Sequence, residues 1–146
     1  MDAFARTFLP AAAEAGLSLP TVNRHLPVFQ RCVEPDDTTV LVTRVRPASS
    51  RRGDFLLLLT HRRLVMTRET RILRRLQLHL NANLRHLSHV AWSTDLRDSS
   101  IEMSATAVDG VRERFQMRLG DNEDVMYLEG LLKHVFTESR NVSLAA

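Results

Sequence analysis

Residues 38–46, TTVLVTRVR, alternate apolar and polar side chains and are rich in β-branched residues, the period of a half-buried strand. Phe55 to Leu59 is a continuous apolar run, short enough for a strand buried on both faces, and Leu64 to Thr67 is its partner. Thr60-His61-Arg62-Arg63 between them must be a tight reversal, because two such short runs so close together fit only a hairpin. Residues 74–80, RRLQLHL, put Leu76, Leu78 and Leu80 on one face. A loop or single helical turn follows over 81–87, then a strand from Ser88 to Ser93 with Val90 and Trp92 on one face. Ile101, Met103, Ala105 and Ala107 mark a further strand. Asp109-Gly110 signals a two-residue hairpin, and the returning strand turns Phe115, Met117 and Leu119 inward. The period then changes. Asp121 suits an N-cap, Glu123 and Asp124 favour the positive end of a helix dipole, and Val125, Leu128, Leu132, Val135 and Phe136 fall on one helical face. This predicts an amphipathic helix of about 16 residues.

The expected architecture is therefore α+β: seven short strands in an antiparallel meander forming a barrel or sandwich, closed by a C-terminal helix and preceded by an Ala-rich helical extension. The domain boundaries read as 1–35 for the extension, 36–137 for the β domain and 138–146 for a flexible tail. The chain's 146 residues suit one domain, and its 44% apolar content can supply a core of mostly aliphatic residues. Cys32 is the only cysteine, so no intrachain disulfide can form, which points to a reducing compartment. Asp2, Glu14 and Pro10 do not fit a signal peptide, and no run approaches the roughly 18 apolar residues of a spanning helix, so a cytoplasmic location is expected.

Charge is uneven. Residues 1–39 carry a net −2, residues 91–146 a net −4, and residues 40–90 hold 11 arginines against Asp54 and Glu69, a net +9. Such a patch either attracts an anionic partner or is a set of solvated strand arginines. No activated nucleophile, glycine-rich phosphate loop or paired-carboxylate motif accompanies it, so neither enzyme nor cofactor is expected. His79, His86 and His89 lie close in sequence, but no cysteine or carboxylate stands near them at ligand spacing, and no metal site is expected.

The hairpin LLLLTHRRLVMT resembles the second hairpin of bacterial pleckstrin-homology-like (PH-like) and GRAM-like domains, in which an apolar run, a threonine, a polar pair and Arg-Leu recur; here these are Thr60, His61, Arg62, Arg63 and Leu64. The resemblance covers residues 36–137 and implies a seven-stranded barrel capped by a helix, with Arg63 near the barrel rim or a carboxylate. It also implies a non-catalytic interaction module. Its partner would be another protein or a second copy of the chain, with anionic lipid or phosphate as a further class. In a meander, alternate loops share one end, which would gather Arg46, Arg51 and Arg52 with Arg68 and Arg71 on one basic rim. Arginine suits bidentate phosphate contacts there. The sequence departs from the lipid-binding pattern at Asp54-Phe55-Leu56-Leu57, where interleaved basic residues are missing.

A second resemblance lies at residues 11–26, AAAEAGLSLPTVNRHL, which look like the turn and recognition helix of helix-turn-helix DNA-binding regulators. In that alternative Val22 and Leu26 are buried, while Thr21, Asn23, Arg24 and His25 face nucleic acid. Residues 1–34 hold equal numbers of basic and acidic groups and lack the excess charge that non-specific DNA affinity needs. The favoured expectation is instead a helical hairpin packed on the β domain through Phe4, Phe8, Leu9, Leu17, Leu26 and Phe29.

Overall fold

The structure, a computed structural model, describes residues 1–48 and 53–145, with side chains through residue 137. Among the described residues the α+β class, seven strands, a C-terminal helix and N-terminal helices are those the sequence predicts. The elements are α1 (Ala3–Glu14), α2 (Leu19–Cys32), β1 (Thr39–Pro47), β2 (Asp54–Thr60), β3 (Arg63–Glu69), β4 (Leu76–Asn83), a 3-10 turn (Leu84–His86), β5 (Ser88–Asp95), β6 (Ser100–Thr106), β7 (Arg112–Arg118) and α3 (Asn122–Ala145). The strands form one antiparallel sheet in the order β4-β3-β2-β1-β7-β6-β5, which has two ends and is not closed. The chain divides into two compact units. One comprises Met1–Arg44 with Arg52–Ala82, the other Val45–Arg51 with Asn83–Ala146.

In the first unit, the helices and strands share one core. Phe4, Phe8, Val22 and Phe29 are buried with Val42, Leu56, Leu58 and Val65 in a single cluster, with Leu9 and Leu26 packed against it. The N-terminal segment is therefore part of this unit's interior. The Asp2 side chain caps α1 by accepting from the Ala5 amide at 2.8 Å. The helix ends where Gly16 takes a left-handed φ of 72°, with the Leu17 N–H returning to the Ala12 carbonyl. Ser18 then caps α2, with Pro20 in the first turn.

The turn at Thr60-His61-Arg62-Arg63 has a chemical explanation. Buried Thr60 donates its hydroxyl to Asp37 Oδ2 at 2.6 Å and accepts from the backbone N–H groups of Arg62 (3.3 Å) and Arg63 (2.9 Å). Arg62 forks onto Asp36 at 2.9 and 3.2 Å, which holds the Asp36 carboxyl below its ordinary pKa. Arg63 meets the side-chain oxygen of Asn81 at 3.1 Å, an amide where the resemblance implies a rim position or a carboxylate. Thr60→Val keeps the shape but orphans the buried Asp37 oxygen and both N–H groups. It should cost about 1–2 kcal/mol in urea denaturation. A cost near zero would show that the turn is held by its ladder alone.

In the second unit, β5, β6 and β7 pair in register from Ser100↔Arg118 to Thr106↔Arg112 and from Ala91↔Ser104 to Asp95↔Ser100. The register shifts between Ser88 and Ala91, where His89 takes a left-handed φ of 51°. The Asp109-Gly110 reversal is longer than two residues. Gly110 N–H donates to the Ala107 carbonyl inside a loop running from Ala107 to Val111. The α3 helix begins as expected, with Asp121 Oδ1 accepting from the Asp124 amide at 2.9 Å, and runs to Ala145, longer than its apolar pattern predicts. Val125, Leu128, Leu132, Val135 and Phe136 are all buried, α3 packs on β6, and Phe136 lies 6.0 Å from the Trp92 ring. The side chains of the expected tail, 138–146, lie outside the described residues.

Candidate functional site

The first unit holds a charged cleft of about 220 Å³. Helix α2 contributes Thr21, Arg24 and His25, β1 contributes Arg44, and β2 contributes Asp54 and Phe55. The end of β3 and the loop after it supply Glu69, Thr70, Arg71 and Arg74. The cleft forms where α2 crosses the ends of the paired strands β2 and β3, whose register sets Asp54 opposite Glu69. Gly53 precedes this pair at a φ of 118°, and a Cβ there would stand 2.9 Å from the Glu69 carbonyl oxygen, so the close approach requires glycine.

At its floor lies a hydrogen-bonded chain. Arg24 Nε is 3.0 Å from Glu69 Oε1 as an ion pair without hydrogen-bond alignment, and Arg24 Nη2 donates to Oε2 at 3.3 Å. His25 Nε2 lies 3.2 Å from Glu69 Oε2, and Nδ1 lies 2.9 Å from the Thr67 hydroxyl. A carboxylate can only accept, so Nε2 carries the proton of the neutral ring, and Nδ1 accepts from Thr67. His25 is 2% exposed. Burial lowers its pKa below the ordinary histidine value; Glu69 opposes this, and Arg24 and Arg44 reinforce it.

Above this floor the charge is unbalanced. Glu69 is engaged by Arg24 and His25, and Asp54 by Arg71 at 3.3 Å. Arg44 and Arg74 have no carboxylate within ion-pair distance among the described residues. Four guanidinium groups thus face two carboxylates, both occupied, and the cleft presents donors to an anion.

Of the expected basic rim, Arg71 reaches this cleft, and Arg68 lies over the Phe55 ring at 5.9 Å in the same unit. Arg46 belongs to the second unit, exposed on β1 and registered with Gln116. Arg51 and Arg52 lie outside the described residues. The four residues of the DNA-facing alternative are split. Asn23 is exposed and Arg24 half-buried, but Thr21 and His25 are buried against the rest of the unit, which corrects their outward placement. Val22 is buried and Leu26 partly so, as both readings of the helix require. Sequence reasoning missed Arg44 and Arg74 as site residues. Arg44 looked like one more outward strand arginine, and only its neighbours in space single it out. Half-buried Cys32 has its thiol pKa pushed up by burial, which keeps it a poor nucleophile. No helix among the described residues is long and apolar enough to cross a membrane.

No protein-family model matches this chain, and no curated protein matches it.

Proposed function

We propose that the chain is a bacterial PH-like interaction module, cytoplasmic and non-catalytic, that recognises a partner through anionic groups received in the arginine-lined cleft of its first unit. The strand order and the helix that follows β7 support the PH-like reading. The observation that carries the anion reading is the pair Arg44 and Arg74, which line a cleft whose two carboxylates are already taken. Buried Glu69 and His25 satisfy each other, a structural use of groups that chemistry would otherwise employ. Burial of Thr21 and His25, and the hold of Glu69 on Arg24, weigh against a DNA-reading helix.

Calorimetric titration of the full chain with myo-inositol hexakisphosphate, a soluble polyanion, tests this. Binding should weaken with added salt. Arg44→Glu with Arg74→Glu should reduce affinity at least about tenfold, because each change replaces a charge-assisted donor by a repelling carboxylate. Neither side chain is buried, so the fold should persist. Absence of binding by the unaltered chain, or equal binding by the double variant, overturns the reading.

A further inference from the structure

The His25 ring lies between two partners that respond differently to a proton. On one side Glu69 Oε2 accepts from Nε2 at 3.2 Å whichever charge the ring carries. On the other stands the buried Thr67 hydroxyl, 2.9 Å from Nδ1 and 3.4 Å from the carbonyl oxygen of Leu56, its cross-strand neighbour. A hydroxyl rotates, and this one has two acceptors to turn to. Beside a neutral ring it donates to Nδ1. Beside a protonated ring it accepts from Nδ1–H and donates to the Leu56 carbonyl instead. Both charge states of this buried histidine are thus hydrogen-bonded at both nitrogens, without displacement of a heavy atom.

We infer that His25 couples the cleft to pH: protonation of its ring and occupancy of the cleft by an anion favour each other. This coupling rests on the anion reading of the cleft and adds its regulation. Position supports it. His25 lines the cleft, and the charged groups around it are Arg24 of α2, Arg44 of β1, Asp54 of β2, Glu69 of β3, and Arg71 and Arg74 of the loop after β3. Glu69 favours the imidazolium, while burial first, then Arg24 and Arg44, oppose it. Asp54 is held by Arg71 at 3.3 Å. An anion seated on Arg44 and Arg74 offsets part of the guanidinium charge that keeps the proton out. The empty cleft therefore refuses a proton from solvent that the occupied cleft accepts at Nδ1. Linkage makes the effect reciprocal, so the anion binds more tightly to the protonated chain. The gain in affinity begins as the pH falls through the pKa of the occupied form, and is complete below that of the empty form.

Nuclear magnetic resonance of the histidine rings in the full chain, through a pH titration with and without saturating myo-inositol hexakisphosphate, tests this. His25 is identified by its proximity to the Phe29 ring, 5.9 Å away between centroids. Its midpoint should rise by about 0.7–1 pH unit with the polyanion, the equivalent of a coupling of about five- to tenfold. Thr67→Val should lower the midpoint with and without the polyanion, because Nδ1–H then has no acceptor. Calorimetry uses myo-inositol hexakissulfate, whose esters keep their charge where phosphate titrates at about pH 6. Binding should be about fivefold tighter at roughly pH 5 than at roughly pH 7.5. His25→Gln cannot titrate and should bind equally at both, which separates His25 from His79, whose ring meets Phe55 of the cleft at 5.3 Å. The midpoint is read on the unaltered chain, so it decides even where His25→Gln does not fold. Hexakisphosphate binding that leaves the midpoint in place, or a ring that stays neutral throughout the folded range, overturns the coupling and leaves the cleft reading intact. Acid-enhanced affinity that persists in His25→Gln overturns the assignment to His25. A midpoint indifferent to Thr67→Val overturns the part given to the hydroxyl. Failure to bind hexakisphosphate overturns both the coupling and the cleft reading.

Discussion

Phe8→Ala is expected to destabilise the first unit by about 3–5 kcal/mol, the cost of emptying a large aromatic site in a packed interior. Phe8 has no exposed surface, and its ring centroid lies 5.6 Å from that of Phe4 and 5.6 Å from that of Phe29. It joins α1 to α2, and the same cluster reaches Val42, Leu56, Leu58 and Val65 on the strands. The cavity cannot collapse cheaply, because the N-terminal helix is also fixed by polar ties. Phe4 N–H donates to the Pro35 carbonyl at 3.2 Å, and the Thr39 N–H donates to the Thr7 hydroxyl at 2.9 Å. A small domain holds only about 5–15 kcal/mol in total, so the loss should be plain in urea denaturation followed by far-UV circular dichroism. Deleting residues 1–34 should be worse still. A cost under about 1 kcal/mol for Phe8→Ala would mean that the helices are an appendage after all.

This separates what the chain's pattern reveals from what it hides. Strands were legible because alternation is a local signal: Ile101, Met103 and Ala105 are buried as their spacing requires, and so are Phe115 and Met117. The start of α3 was legible because its cap and its apolar face are written within a few residues of each other. Helix α2 was ambiguous for a physical reason. Its buried face comprises Thr21, Val22, His25 and Phe29, two of them polar. A polar residue looks outward-facing until its partner is known, and the partners of His25 are Thr67 and Glu69, 42 and 44 residues further on. The candidate site suffered the same way. Arg71 was legible as a loop arginine, but Arg44 and Arg74 became site residues only when β1, α2 and the β3–β4 loop met around one cleft.

Glu69→Gln should lower stability and raise anion affinity together. The residue is 7% exposed and takes contacts from both Arg24 and His25, so the change removes a buried charge that two neighbours require. A glutamine oxygen can still accept from His25, and the Arg24 side chain is 32% exposed and can turn to water, which reduces the loss to about 2–3 kcal/mol. Acid should deepen it. The folded-state pKa of His25 is lowered by burial, so below the ordinary histidine value of about 6.5 the unfolded chain takes up a proton that the folded chain refuses. The stability that depends on neutral His25 is fully present above that pH and falls as the pH drops toward the folded-state pKa. Glu69 partly counters the shift, and without its charge the folded-state pKa falls further. The difference between the parent chain and Glu69→Gln should therefore widen between neutral pH and about pH 5 in urea denaturation, and a difference that narrows would refute the assignment. In the cleft the consequence has the opposite sign. Arg24 loses its carboxylate and joins Arg44 and Arg74 in facing the occupant, so hexakisphosphate should bind on the order of tenfold more tightly. A variant less stable yet tighter in binding would mean that Glu69 holds the site together by occupying one of the guanidinium groups that the anion would otherwise engage.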